Sequence, residues 1–211
     1  MPERLCKICG LSRSEDVLLC HSLGVDFTGF IFTGESKRFI SPEAAGALPS
    51  GPALRVGVFV NATADYILGC VKIARLDFIQ LHGGESPEFC KKLGAERIIK
   101  TLWPRRYATD GLQAEMEGYA GACAYFLLDA GQGGGGSGAS LNFKDLAKIH
   151  PPRPWFLAGG LGPENLPVAL HTCSPDGLDC NSALESAPGV KDHALLRRAV
   201  AVIHQHNKEK L

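Results

Sequence analysis

The chain has no apolar run near the roughly 18 residues that a membrane-crossing helix needs, and its first residues lack the basic-then-apolar pattern of a secretory leader. The expectation is a cytoplasmic protein that neither spans nor binds a membrane. Charge of one sign is not in excess: 22 Lys and Arg stand against 22 Asp and Glu, and no long basic stretch occurs. Clustered cations are what phosphate-backbone recognition requires, so there is no electrostatic case for nucleic acid as a partner. The 211 residues contain no Ser/Pro-rich or charged linker at their middle, which makes one domain over 1–211 the expectation. A second close Cys/His pair is also missing. Cys6 and Cys9 form a C-x-x-C, the spacing of redox and zinc sites, but structural zinc takes about four ligands and a redox motif opens a helix. Residues 5–9 read as strand instead, so no metal is expected, and the six other cysteines fall in apolar segments as reduced, buried small side chains. Cys9 is left with four readings: inert filler, half of a redox pair, metal ligand or catalytic base.

What the sequence does contain is alternation. Apolar, β-leaning runs occur at 4–9, 27–32, 55–60, 78–81, 97–101, 123–128, 154–158 and 177–180. Helical patterns lie between and after them at 14–22, 42–47, 64–74, 86–93, 111–119, 143–149, 163–171 and 192–205. Three helices carry local start signals, Ser41-Pro42, Thr63 and Ser86-Pro87, since a hydroxyl caps free amide groups and an early proline fits the first turn. Alternating strand and helix implies a parallel sheet, and eight such units in about 200 residues predict an α/β fold, a single (β/α)8 TIM barrel. A doubly wound open sheet is the alternative.

In a barrel the inward side chains pack the core, and chemistry sits where the strands end. Polar residues stand at those ends: Lys7 and Cys9 on the first strand, Gln80 and His82 on the fourth, Lys100 on the fifth, Asp129 on the sixth and Asp179 on the eighth. Period-2 alternation puts Lys7 and Cys9 on one face and Cys6 on the other. Small residues follow strands seven and eight, Gly159-Gly160 and Ser182-Ala183, where backbone amides near a helix start can cradle a phosphate. A small phosphorylated substrate is implied.

Together KICG at 7–10, SKRFISPEAA at 36–45, VGVFVN at 56–61, LDFIQLHGGE at 76–85, LLDA at 127–130, GGSGASLNF at 135–143, LAGGLGPENL at 157–166 and GLDCNSALESAPGVKD at 177–192 resemble the phosphoribosylanthranilate isomerase family over nearly the whole chain. The resemblance implies an Amadori rearrangement in tryptophan biosynthesis without metal or organic cofactor, by a monomer or homodimer. It implies Cys9 as the base, Asp129 as the acid and Arg38 as the partner of the anthranilate carboxylate, a role suited to a planar two-pronged donor. Lys7, two residues from Cys9, is expected to draw the thiol pKa from about 8.5 toward neutrality. Asp179 either pairs with Lys7 or orients substrate hydroxyls, and Gln80 and His82 are divided between packing and substrate contact.

Two positions depart from the family pattern, Ala139 where a lysine is common and Ala183 where a glycine is common. The second is expected to narrow the backbone freedom of the phosphate loop. The glycine-rich run 131–138 reads as a mobile lid, because glycine is costly to order. Rival readings are another phosphosugar aldose–ketose isomerase and a barrel that binds its phosphorylated ligand without turnover; retention of both Cys9 and Asp129 argues against the latter.

Overall fold

The computed structural model describes residues 3–107, 109–129 and 143–209. The expected lid at 131–138 and the Ala139 departure lie outside these residues. Eight parallel strands close into a barrel in sequence order: β1 (Leu5–Ile8), β2 (Phe27–Ile31), β3 (Leu54–Phe59), β4 (Phe78–Leu81), β5 (Ile98–Leu102), β6 (Tyr125–Asp129), β7 (Trp155–Ala158) and β8 (Gly177–Cys180). The helices are α1 (Ser14–Ser22), α2 (Pro42–Ala47), α3 (Ala64–Ala74), α4 (Pro87–Leu93), α5 (Thr109–Tyr119), α6 (Phe143–Leu146), α7 (Leu166–Thr172) and α8 (His193–Glu209). The eightfold alternation read from the sequence is therefore the architecture. A short hairpin, β9 (Glu185–Ala187) with β10 (Val190–Lys191), was not expected and stands between β8 and α8.

The three start signals act as anticipated. Ser41, Thr63 and Ser86 accept hydrogen bonds from the amides of Ala44, Tyr66 and Phe89, three residues on. At the opposite end of the barrel from the site, one device recurs. Asp26, Asp77 and Asp176, each just before a strand, accept the amide of Cys6, Arg55 and Trp155 at 2.7, 2.7 and 2.9 Å. These bonds pin the starts of neighbouring strands and so help to set the register that decides which residues meet at the other end.

Two apolar shells follow from strand alternation. Inside the barrel, Phe27, Phe78, Tyr125 and Phe156 pack mostly edge to face, with centroids 5.4 to 6.2 Å apart. Gly177 leaves room for this plug, because a Cβ there would fall 2.3 Å from the Phe156 ring. Outside, residues such as Cys6, Ile8, Phe30, Ile79 and Leu128 bury the helices. Cys6 thus belongs to the helix-facing shell, on the opposite side of its strand from Lys7, and both cysteines of the C-x-x-C are free thiols. Lys100, expected at the mouth with the other polar strand ends, also points outward. It lies between outward Ile98 and Leu102, donates to Glu85 at 3.0 Å and to the Gly83 carbonyl at 2.7 Å, and rests over the Tyr119 ring. No helix of the described residues is long and apolar enough to cross a membrane.

Candidate active site

Cys9 directly follows β1, where its amide still donates to Cys180 at 2.9 Å. Cys9 is buried, with 4% of the residue exposed, and Gly29 of β2 is what admits its thiol: a Cβ at Gly29 would lie 2.8 Å from Cys9 Sγ and 3.1 Å from its Cα. A glycine inside a strand pattern signals such a close approach, and that signal was present in the second run. Gly10 has φ +73°, and a Cβ there would meet Asn181 Oδ1 at 2.6 Å and Arg38 Cδ at 2.9 Å. The glycine of KICG is therefore required both by backbone and by space.

Lys7 points inward with no exposure and donates to Asp179 Oδ1 at 2.9 Å. Of the two readings of Asp179, the pairing with Lys7 is present, and the reason is register: Lys7 and Asp179 are direct neighbours across the β1–β8 ladder. Burial disfavours the Lys7 ammonium, but Asp179 and Cys9 together hold it above its ordinary value, charged. Burial pushes the Asp179 carboxyl up against the pull of the same lysine.

The expectation for Cys9 is corrected here. Burial raises its thiol above the ordinary value, and the opposing attraction and hydrogen bond of Lys7 do not make up the difference. Lys7 acts in the expected direction, but desolvation of the thiolate is the larger effect. The sequence revealed the cation and could not reveal how dry the thiol is.

Asp129 ends β6 and lies 3.5 Å from His82 Nε2. The other imidazole nitrogen, Nδ1, is 3.1 Å from both Gln80 Nε2 and Thr101 Oγ1. With Gln80 Nε2 as the donor, Nδ1 accepts, and in that tautomer the ring proton lies on Nε2, the nitrogen that faces Asp129. Burial lowers the His82 pKa, which keeps the imidazole neutral despite Asp129. Trp103 closes this side edge-on to His82 at 5.2 Å, beneath the guanidinium of Arg106. Gln80 and Thr101 are buried and His82 is half-buried, so the three form one polar chain leading to Asp129. The Asp129 carboxylate adds to the field at Asp179, and Lys7 to that at His82, so the two sides of the mouth sense each other.

Arg38, in the loop after β2, lies at the same mouth. Its Nε is 2.9 Å from both Glu185 oxygens and its Nη2 is 2.7 Å from one of them. Glu185 also accepts from Lys191 at 2.9 Å, and Lys191 reaches the Asn181 side chain at 3.0 Å. Glu185, Lys191, Thr101 and Gly29 are not singled out by the sequence, and Asn181 is read there only as part of the phosphate-cradling loop 181–183. Glu185 and Lys191 face each other only because the unexpected β9–β10 hairpin folds back.

The two loops after β7 and β8 touch: a Cβ added to Gly162 would come 3.1 Å from the Ala183 methyl. Gly159 and Gly160 have φ +105° and +69°. Asn165 braces this loop, accepting from the Gly162 amide and donating to the Gly160 carbonyl, both at 2.9 Å. The turn so formed delays α7 to Leu166, three residues after the expected start. After β8, Ser182–Leu184 is a single 3-10 turn. Ala183 is not among the residues with positive φ, so the departure from glycine carries no backbone strain there. Among the described residues, no group of three or more His, Cys, Asp or Glu could hold a metal ion.

A family model described as N-(5'-phosphoribosyl)anthranilate isomerase matches residues 6–202. A protein named N-(5'-phosphoribosyl)anthranilate isomerase from Desulfovibrio desulfuricans is 49% identical over 199 residues, which cover 94% of both chains. Among solved structures, monomers of the dimeric phosphoribosylanthranilate isomerase from Thermotoga maritima superpose with a TM-score of 0.84 at 32% identity, covering 96% of this chain and 99% of that one. A phosphoribosylanthranilate isomerase in complex with reduced 1-(o-carboxyphenylamino)-1-deoxyribulose 5-phosphate gives 0.82 at 32% identity with the same coverage.

Proposed function

The chain belongs to the N-(5'-phosphoribosyl)anthranilate isomerase family, and from that premise we propose that Cys9 and Asp129 divide the proton transfers of its reaction. The protein is an isomerase of tryptophan biosynthesis, converting N-(5'-phosphoribosyl)anthranilate into 1-(2-carboxyphenylamino)-1-deoxyribulose 5-phosphate by general acid–base catalysis on a (β/α)8 TIM barrel. The whole chain, 1–211, works as one cytoplasmic domain, as a monomer or homodimer.

Asp129 protonates the ribose ring oxygen as the C1'–O bond breaks, and the anilino nitrogen supplies its lone pair to form an iminium. Cys9 thiolate then removes the C2' proton, the electrons fall back through C1' to nitrogen, and the enolamine tautomerises to the ketose. The process is redox-neutral. Lys7, held charged by Asp179, stabilises the thiolate before proton abstraction, while the Nε2–H of His82 orients Asp129. Arg38 receives the anthranilate carboxylate, and amides of Gly159, Gly160, Ser182 and Ala183 receive the phosphate where the two loops meet.

The observation that carries this reading is the buried Lys7–Asp179 ion pair within electrostatic reach of the Cys9 thiol at the barrel mouth, on the same side as Asp129. Cys9→Ala and Asp129→Asn are each expected to lower kcat by at least about a hundredfold, the scale of losing a general acid or base. The disappearance of phosphoribosylanthranilate fluorescence measures it. Turnover near the wild-type rate in either variant removes that residue from its role.

A further inference from the structure

One heavily bonded carboxylate at the mouth is a group that the mechanism above does not use. Glu185 has a side chain only 4% exposed, yet it is engaged by two cations, Arg38 from the loop after β2 and Lys191 from the facing strand β10. Three guanidinium contacts of 2.7 to 2.9 Å come from the Nε and Nη2 side of Arg38 alone. Lys191 is itself fixed at 3.0 Å by Asn181, the residue whose side chain, with that of Arg38, roofs Gly10. Glu185 thereby ties the loop after β2 to the segment after β8 beside the Cys9–Gly10 turn, with the Arg38 guanidinium within electrostatic reach of the thiol.

We propose that Glu185 is the positioning residue for Arg38, holding its guanidinium by one edge so that the opposite edge is presented to the carboxylate of the substrate. This rests on the reading of Arg38 as the carboxylate partner. A guanidinium has five N–H donors in a rigid fork, and a carboxylate that occupies Nε and Nη2 leaves the two Nη1 donors and one of Nη2. A free arginine must give up rotamer freedom when it binds an anion; one already clamped gives up little. Lys191 completes the arrangement, because a lone Glu185 beside an incoming carboxylate would repel it. With Arg38, Glu185 and Lys191 together the cluster keeps a net charge of +1 for the ligand.

Glu185→Gln preserves shape and removes the charge that grips Arg38. The probes are two competitive inhibitors, the reduced 1-(2-carboxyphenylamino)-1-deoxyribulose 5-phosphate and its phenylamino counterpart without the carboxylate. The ratio of their inhibition constants in wild type measures recognition of the carboxylate. In Glu185→Gln this ratio is expected to shrink about tenfold, with KM raised and kcat changed by less than about threefold, because uniform binding is what is lost. Arg38→Met is expected to abolish the preference, and Glu185→Gln added to Arg38→Met to lower it no further. An unchanged ratio in Glu185→Gln, a larger one, or additive losses in the double variant would overturn the proposal. Should Arg38→Met itself leave the ratio unchanged, the reading of Arg38 fails and this proposal with it. Loss in Arg38→Met alone defeats only the role of Glu185.

Discussion

Asp179 and Lys7 are register partners across the seam that closes the barrel, and they meet as an ion pair of 2.9 Å with the lysine wholly buried. The pair is a fixture of the core as much as of the site. Removing one member of such a pair leaves an uncompensated buried charge, which costs about 3 to 5 kcal/mol.

Lys7→Met is therefore expected to lower the unfolding free energy by about that amount, measured by denaturant titration. Lys7→Met/Asp179→Asn should recover part of the stability and none of the activity. Recovery of activity in the double variant would show that the cation does not serve Cys9.

The raised Cys9 thiol predicts how rate depends on pH. A base must be deprotonated to act, and kcat/KM reports the free enzyme. A thiol above its ordinary value of about 8.5 is mostly protonated at neutrality, so kcat/KM should still be climbing at about pH 8.5. Iodoacetamide alkylation of Cys9 should climb with it. Lys7 opposes the upward shift, so Lys7→Met should carry both curves further to the alkaline side. A plateau below about pH 7.5 in the wild type would contradict the burial argument.

Gly29→Ala tests the seat of the thiol. The new methyl would sit 2.8 Å from Cys9 Sγ, with backbone behind it at 3.1 Å, so the thiol must move. A displacement near 1 Å can cost about a hundredfold in rate. We expect a loss of about that size in kcat with the circular dichroism spectrum unchanged; a wild-type kcat would mean that Cys9 need not stand where it does.

Lys100→Met separates the outward pair from the mouth. Lys100 and Glu85 are both buried on the helix side, so losing the lysine should cost about 3 to 5 kcal/mol. Under conditions where the variant is folded, kcat should stay within about twofold, because the described contacts of Lys100 end on Gly83, Glu85 and Tyr119 and its charge acts on His82 more weakly than burial, Asp129 or Lys7. A selective fall in kcat would return Lys100 to the site.

The fate of these two lysines shows what was legible. Both are read from sequence as polar residues at strand ends; Lys7 stands one residue before the end of β1, whereas β5 runs on to Leu102 and leaves Lys100 at its middle. Lys7 lies inward and Lys100 outward because of where each falls in its strand's alternation. That parity was available in the sequence, since Ile99 and Thr101 flank Lys100, but the barrel mouth was assigned by strand end alone. Cys6 and Cys9 were separated correctly by the same parity. Glu185 was beyond reach, because its meaning comes from Arg38, 147 positions away.

Legible in the sequence alone, unlike the β9–β10 hairpin, were the eight barrel strands and eight helices in their order, three helix starts, the family resemblance and the residues nominated for acid and base. These depend on periods of two and 3.6, on caps, and on motifs contiguous in the chain. Only the tertiary structure decided that Lys7 pairs with Asp179, that Glu185 grips Arg38, and that burial overrides Lys7 at the Cys9 thiol. Pairing depends on register between strands distant in sequence, and a pKa depends on how completely water is excluded, which no local pattern records.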